Sequence, residues 1–197
     1  MNENLKYIVA TVGVILLGVF FAVYFYYDDI SLYFLQTQTK EIHVHSDFLF
    51  YINNVKVDLT GAKYQSNAEQ ILHKYMHFHD GVDTMIHRHA DAITLREFLA
   101  SLGFTLTNTC VTTDTGANYC TNEQNVLKLF VNGTQVNDIE SYITQEKDQI
   151  LLYYGENDPA KIKTLQEKIS DEACLYSGTC PERGEPPFET CGLTCEI

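Results

Sequence analysis

The apolar positions of this chain change period along its length. Residues 7–27 carry no charge and are apolar almost without interruption, between Lys6 on one side and Asp28 and Asp29 on the other. A helix over this run would be about 31 Å long at 1.5 Å per residue, enough to cross a hydrocarbon core. Tyr24, Tyr26, Tyr27 and Tyr33 gather at the far border, where amphipathic rings sit in membrane proteins. The run predicts a single-pass transmembrane anchor over 1–29. Lys6 favours a cytoplasmic N-terminus, which places the remainder outside the cell, at the cell membrane. A cleaved signal peptide is the rival reading, disfavoured by the length of the run and its lack of a small-residue cleavage site. Residues 30–41 read as a juxtamembrane stalk.

Beyond the stalk the period shortens. Phe48 to Ile52, the pair Asn53-Asn54, and then Val55, Val57 and Leu59 predict a hairpin. Ser66 and Glu69, three apart before Ile71 and Leu72, have the spacing of a helix cap. Two short pieces, 76–79 and 85–89, are joined across Asp80-Gly81 and predict a second hairpin. Thr94 to Gly103 is the clearest helix. Thr94 and Glu97 form a capping box, Leu95, Phe98, Leu99 and Leu102 share one face, and Gly103 stops it. Val126 to Val131, the turn Asn132-Gly133, and Val136 form a strand pair. Ile139 to Ile143 is a turn or short helix, and Ile150 to Tyr154 a last strand. Asp158-Pro159 opens a final helix with Ile162, Leu165 and Ile169 on one face. The tail after Cys174 is rich in Pro and Gly and reads as irregular. These elements predict an α+β fold class. A transmembrane helix is followed by a small mixed β-sheet packed on a helix over 42–155, then by a helix and a disulfide-rich extension over 156–197.

Composition narrows the partners. Lys and Arg number 13 against 26 Asp and Glu, a formal charge of -13. So acidic a chain, with no basic run, is unsuited to a phosphate backbone, and no nucleic-acid partner is expected. The expected partners are the membrane, through the single helix, and another envelope protein.

Six cysteines follow the apolar run. Their order suggests the pairs Cys110–Cys120, Cys174–Cys180 and Cys191–Cys195, with crossed pairing among the last four equally open. Zinc binding by cysteine is the alternative. The spacing of Cys191 and Cys195 suits it and that of Cys174 and Cys180 does not. Asn132-Gly133-Thr134 has the form of a glycosylation acceptor, although Asn-Gly is first a turn signal.

The histidines carry the sharpest chemistry. All seven fall between His43 and His89, and six of them form the pairs His43/His45, His77/His79 and His87/His89. In a strand, residues i and i+2 share a face. If 77–79 and 87–89 are arms of one hairpin, their four imidazoles lie together, with Met76, Phe78 and Ile86 turned into the core. Arg88 breaks that alternation and is expected at a strand edge or snorkelling outward. Neutral imidazole is a good ligand for Zn(II) and Cu(II), so His43, His45, His77, His79, His87 and His89 are the candidate metal ligands. Asp47, Asp80 and Asp91 flank the pairs and are placed to complete a ligand set or orient a ring. His73 is a weaker candidate, and Met76 and Met85 flank the hairpin.

The strings HVHSDFLFYINNVKVDL, MHFHDGVDTMIHRHADAITLREFLASLGF and LFVNGTQVNDIESYITQEKDQILLYYG are similar to an uncharacterised group of membrane-anchored exported proteins found mainly in archaea. The matching positions are His45, Asp47, His77, His79, Asp80, His87, His89 and the helix 94–103. The resemblance implies an address and a recurring fold, and no established activity. The closing run from Leu127 to Gly155 also resembles the end of a ubiquitin-like β-grasp domain of the sulfur-carrier type. That implies a small sheet on a helix and, without a diglycine terminus, no sulfur transfer.

The sequence contains no phosphate loop, nucleophile elbow or nucleotide fingerprint. The expected function is a membrane-tethered extracellular module binding a divalent transition metal, Zn or Cu. The alternative is a metal-free extracellular interaction or structural envelope subunit; a metal-dependent enzyme ranks below both.

Overall fold

The computed structural model describes residues 41–189 together with Asn2, Val12, Gly13, Leu16 and Leu17. The chain divides into two units, Met1–Lys40 and Glu41–Ile197. Among the described residues no helix is long and apolar enough to cross a membrane. A span needs about 20 consecutive helical residues; of the 7–27 run only Val12, Gly13, Leu16 and Leu17 are described, as helical, and the rest lies outside the described residues. The transmembrane helix, the attachment to a membrane through it, and the cytoplasmic and extracellular split drawn from it are therefore not supported.

The second unit is α+β. Its elements in chain order are β1 (Glu41–Ile52), β2 (Val55–Lys56), β3 (Met76–His77), β4 (Met85–Ala90), α1 (Leu95–Ser101), β5 (Thr105–Leu106), β6 (Cys110–Thr112), β7 (Asn118–Cys120), β8 (Asn125–Val131), β9 (Thr134–Val136), β10 (Gln149–Glu156), α2 (Pro159–Gln166) and α3 (Ala173–Tyr176). The main sheet runs β3-β4-β1-β10-β8-β9, with β2 also on β1. The pair β1 and β10 is parallel and the other pairs are antiparallel. A separate small sheet, β5-β6-β7, is closed by the Cys110–Cys120 disulfide, whose cysteines are directly opposite one another.

Turn chemistry sets the hairpins. Asn53 and Asn54 both have positive φ, as do Asn132 and Gly133, so two-residue turns join β1 to β2 and β8 to β9. Asp80 and Gly81 likewise turn the chain between β3 and β4. The capping box of α1 forms as the sequence predicts, with Thr94 and Glu97 exchanging bonds. The expected cap at Ser66 and Glu69 opens no helix. Asn67 Oδ1 instead accepts from the Glu69 and Gln70 amides, and Ser66 Oγ accepts from Leu72 N. These local bonds compete with a helical turn.

Alternation divides the sheet into two faces. Phe48, Phe50, Met76, Phe78, Ile86, Ile150 and Leu152 enter the large core with Leu95, Phe98 and Leu99 of α1. Leu49, Tyr51, Leu151 and Tyr153 form a smaller core with Ile162 and Leu165 of α2 on the opposite face. His45 and Asp47 share parity with Leu49, so they lie on the α2 face, at the end of β1 that pairs with β4. Asp47 fastens the C-terminal segment there. It accepts from Ser170 Oγ at 2.6 Å, Glu172 N at 2.9 Å and Ala173 N at 3.1 Å. The two amides are those at the start of α3 and Ser170 precedes it, so a buried carboxylate on the sheet holds that helix and its approach.

Candidate metal centre

Register assembles the site. Strand β4 lies between β1 and β3, and His87 is opposite both His45 and His77. The β1–β4 register shifts between Glu41 and Val44, a bulge beside His43. The six paired histidines close into one ring of rings. Centroid separations are 4.5 Å for His43–His45, 4.9 Å for His45–His87 and 4.0 Å for His87–His79. They are 5.7 Å for His79–His77, 5.1 Å for His77–His89 and 4.6 Å for His89–His43. His45, His77, His79 and His87 are only 2, 1, 2 and 1% exposed.

Three of these rings are oriented from behind. His45 Nδ1 is 2.8 Å from Ser177 Oγ, which in turn donates to Glu146. His77 Nδ1 is 3.2 Å from the His73 carbonyl, and His79 Nδ1 is 2.8 Å from the Asp80 carboxylate. A proton placed on each Nδ1 leaves Nε2 with a free lone pair. Those Nε2 atoms are buried and make no hydrogen bond, like His43 Nε2 and both nitrogens of His87.

Glu189 completes the constellation from the C-terminal tail. Its Oε1 lies 3.1 Å from His87 Nδ1, 3.5 Å from His45 Nε2 and 3.7 Å from His79 Nε2; its Oε2 lies 3.9 Å from His43 Nε2. Nitrogens of His43, His45 and His87 and an oxygen of Glu189 lie within 4.8 Å of one another, a set that can close on one ion.

Burial disfavours the charged form of His43, His77, His87 and His89. It pushes His77 down to about 4 and His89 to about 3, with neighbouring histidines adding to both shifts. Burial first, then the neighbouring rings, also lowers His87 well below its ordinary value, and burial lowers His43. The short approach of His87 to Glu189 is therefore not an ion pair, since the imidazole carries no charge. Tyr176 packs 5.7 Å from His45 and 5.6 Å from His87, ring to ring. A cavity of about 330 Å³, lined by His43, His45, Tyr176 and Ser177, opens beside the cluster.

Comparison with protein-family models, with curated proteins and with solved structures finds no match for this chain. The resemblances to the archaeal membrane-anchored group and to β-grasp sulfur carriers are not supported, the first also because no membrane-crossing helix is described.

The structure brings His43, His45, His77, His79, His87 and His89 together and leaves other candidates out. His73 Nδ1 accepts from the Tyr75 and Met76 amides, so its ring shapes the approach to β3. Asp80 orients His79, Asp47 holds α3, and Asp91 is an exposed neighbour of Arg88. Met76 is in the large core. Arg88 is neither at an edge nor snorkelling. It is buried, donating to the Thr144 and Ala90 carbonyls, which satisfy a guanidinium where no solvent reaches. Sequence reasoning missed Glu189, Ser177, Glu146 and Tyr176. No local pattern marks them: Ser177, Tyr176 and Glu189 reach the histidines only through the docking of the C-terminal segment, and Glu146 comes from the loop before β10, where it accepts from His45 N at 3.1 Å. The Cys174–Cys180 disulfide closes part of that segment; Cys191 and Cys195 lie outside the described residues.

Proposed function

We propose that this chain binds a divalent transition-metal ion, zinc or copper, through the imidazoles of His43, His45 and His87 and the carboxylate of Glu189, within a cluster that also contains His77, His79 and His89. One observation carries the reading. Among the described residues, seven of the eight buried side-chain nitrogen and oxygen atoms without a hydrogen bond lie in this cluster. Leaving a polar atom buried and unpaired costs roughly 1–3 kcal/mol. Seven such atoms cost on the order of 10 kcal/mol, comparable to the whole stability of a typical domain. A cation held by His43, His45, His87 and Glu189 gives the unpaired atoms of those four side chains a partner.

Donor chemistry supports the choice of ion. Neutral imidazole and one carboxylate, with no thiolate, suit Zn(II) and Cu(II). The Nδ1 partners Ser177, His73 carbonyl and Asp80 are the outer contacts that metal-bound histidines use. The adjoining cavity gives a small ligand access to the ion, which suits an exchangeable or reactive site better than a sealed structural one.

The test is retention of metal by the full-length chain. The protein is equilibrated with Zn(II) or Cu(II) at about pH 7.5, desalted and assayed by elemental analysis. At least one equivalent is expected, with tight retention lost in His45→Ala/His87→Ala while the far-UV circular dichroism is unchanged. Failure of the wild type to retain either ion at micromolar concentration overturns the reading.

A further inference from the structure

We infer that the cluster holds two ions, the second bound by His77, His79 and His89 and joined to the first through His87. This rests on the metal reading above and extends it from one ion to a pair.

The donor supply exceeds what one ion takes. Six imidazoles and a carboxylate converge, whereas zinc in histidine sites is normally four-coordinate. The four mutually close donors belong to His43, His45, His87 and Glu189. His77 and His79 remain outside that set, yet each aims a buried Nε2 that makes no hydrogen bond. Each also has its Nδ1 fixed, by the His73 carbonyl and by Asp80. Two rings are thus oriented as ligands with no place on the first ion. His89 stacks 5.1 Å from His77. Rings bound tetrahedrally to one ion at about 2.1 Å have centroids about 5 Å apart, so His77 (5.7 Å from His79) and His89 have the spacing of co-ligands.

His87 links the two halves. Both of its nitrogens are buried without a hydrogen bond, whereas His45, His77 and His79 each have Nδ1 engaged. Nδ1 of His87 is on the Glu189 side, 3.1 Å from Oε1. Nε2 is left for the second ion, and the His79 ring packs 4.0 Å away. An imidazole that binds an ion at each nitrogen releases its ring proton to solvent and becomes a bridging imidazolate. The chemical class is a pair of divalent transition ions sharing one imidazolate.

The full-length chain is loaded with Cu(II) in excess at about pH 7.5, desalted, and its copper content compared with its electron paramagnetic resonance intensity. Two ions per chain are expected, falling to one in His77→Gln/His79→Gln. One ion in the wild type overturns this inference and leaves the metal reading standing; none overturns both. A second ion that persists in the variant is adventitious and also overturns it. Should the variant not fold, the wild type still decides. Two coupled ions give integrated spin intensity well below the copper content, and intensity equal to the copper content refutes the shared His87.

Discussion

Acidification of the metal-free protein is a direct probe of the buried imidazoles. His77 is held at about 4 and His89 at about 3, against 6.5 for an unstructured histidine. Between those values the unfolded chain binds protons that the folded chain refuses, so stability falls as pH falls. The loss begins as the pH drops below about 6.5 and is complete below the folded values. At pH 5 each unfolded ring is almost fully protonated while the folded rings stay neutral, which costs about 2 kcal/mol per group and about 4 kcal/mol for the two. His87, also depressed by burial, adds in the same direction. With a urea slope of about 2 kcal/mol/M, the unfolding midpoint drops by about 2 M between pH 7.5 and pH 5. The measurement is urea unfolding of chelator-treated protein followed by circular dichroism across that range. His77→Gln/His89→Gln removes most of the slope, and saturating Zn(II) raises the midpoint throughout. A midpoint that stays level from pH 7.5 to pH 5, or an undiminished slope in the double variant, refutes the claim that these rings are buried and neutral.

Other consequences follow from single contacts. Asp80→Ala leaves the His79 ring without its orienting carboxylate and weakens Zn(II) binding by about tenfold or more, read by competition with a chromophoric chelator. Asp47→Ala strips Ser170 Oγ and the two amides at the start of α3 of their acceptor, and a destabilisation of about 3 kcal/mol is expected in urea unfolding. Phe98→Ala costs about 3–5 kcal/mol by the same assay, because its ring meets Phe48 and Phe78 edge-on at 6.3 and 4.9 Å in the large core. Since Phe78 lies between His77 and His79, that variant also lowers metal affinity, measurable by the same competition.

Local rules made several features legible. The capping box at Thr94 and Glu97, the Asn-rich hairpin turns, and the proline at the start of α2 each act within a few residues and form as expected. The His-x-His spelling also states its own geometry, because strand alternation puts both rings of a pair on one face. Where local rules competed, the reading failed. Ser66 and Glu69 have cap spacing, but Asn67 takes the same amides into a turn. An apolar run was likewise insufficient evidence of a membrane span, since among the described residues no helix long and apolar enough to cross one is found.

The sequence by itself determined that six of the histidines come in same-face pairs. Tertiary structure decided that the three pairs gather into one cluster. Placing His45 opposite His87 depends on the register of two strands some forty residues apart, and a slip of one residue would turn one of those histidines into the large core. Glu189 was decided only in three dimensions. It reaches the cluster because Asp47, on the sheet, binds the amides that begin α3, and the chain continues from there across the histidines. Spacing along a chain encodes a face. Distance between faces is set by register and docking, which no local pattern records.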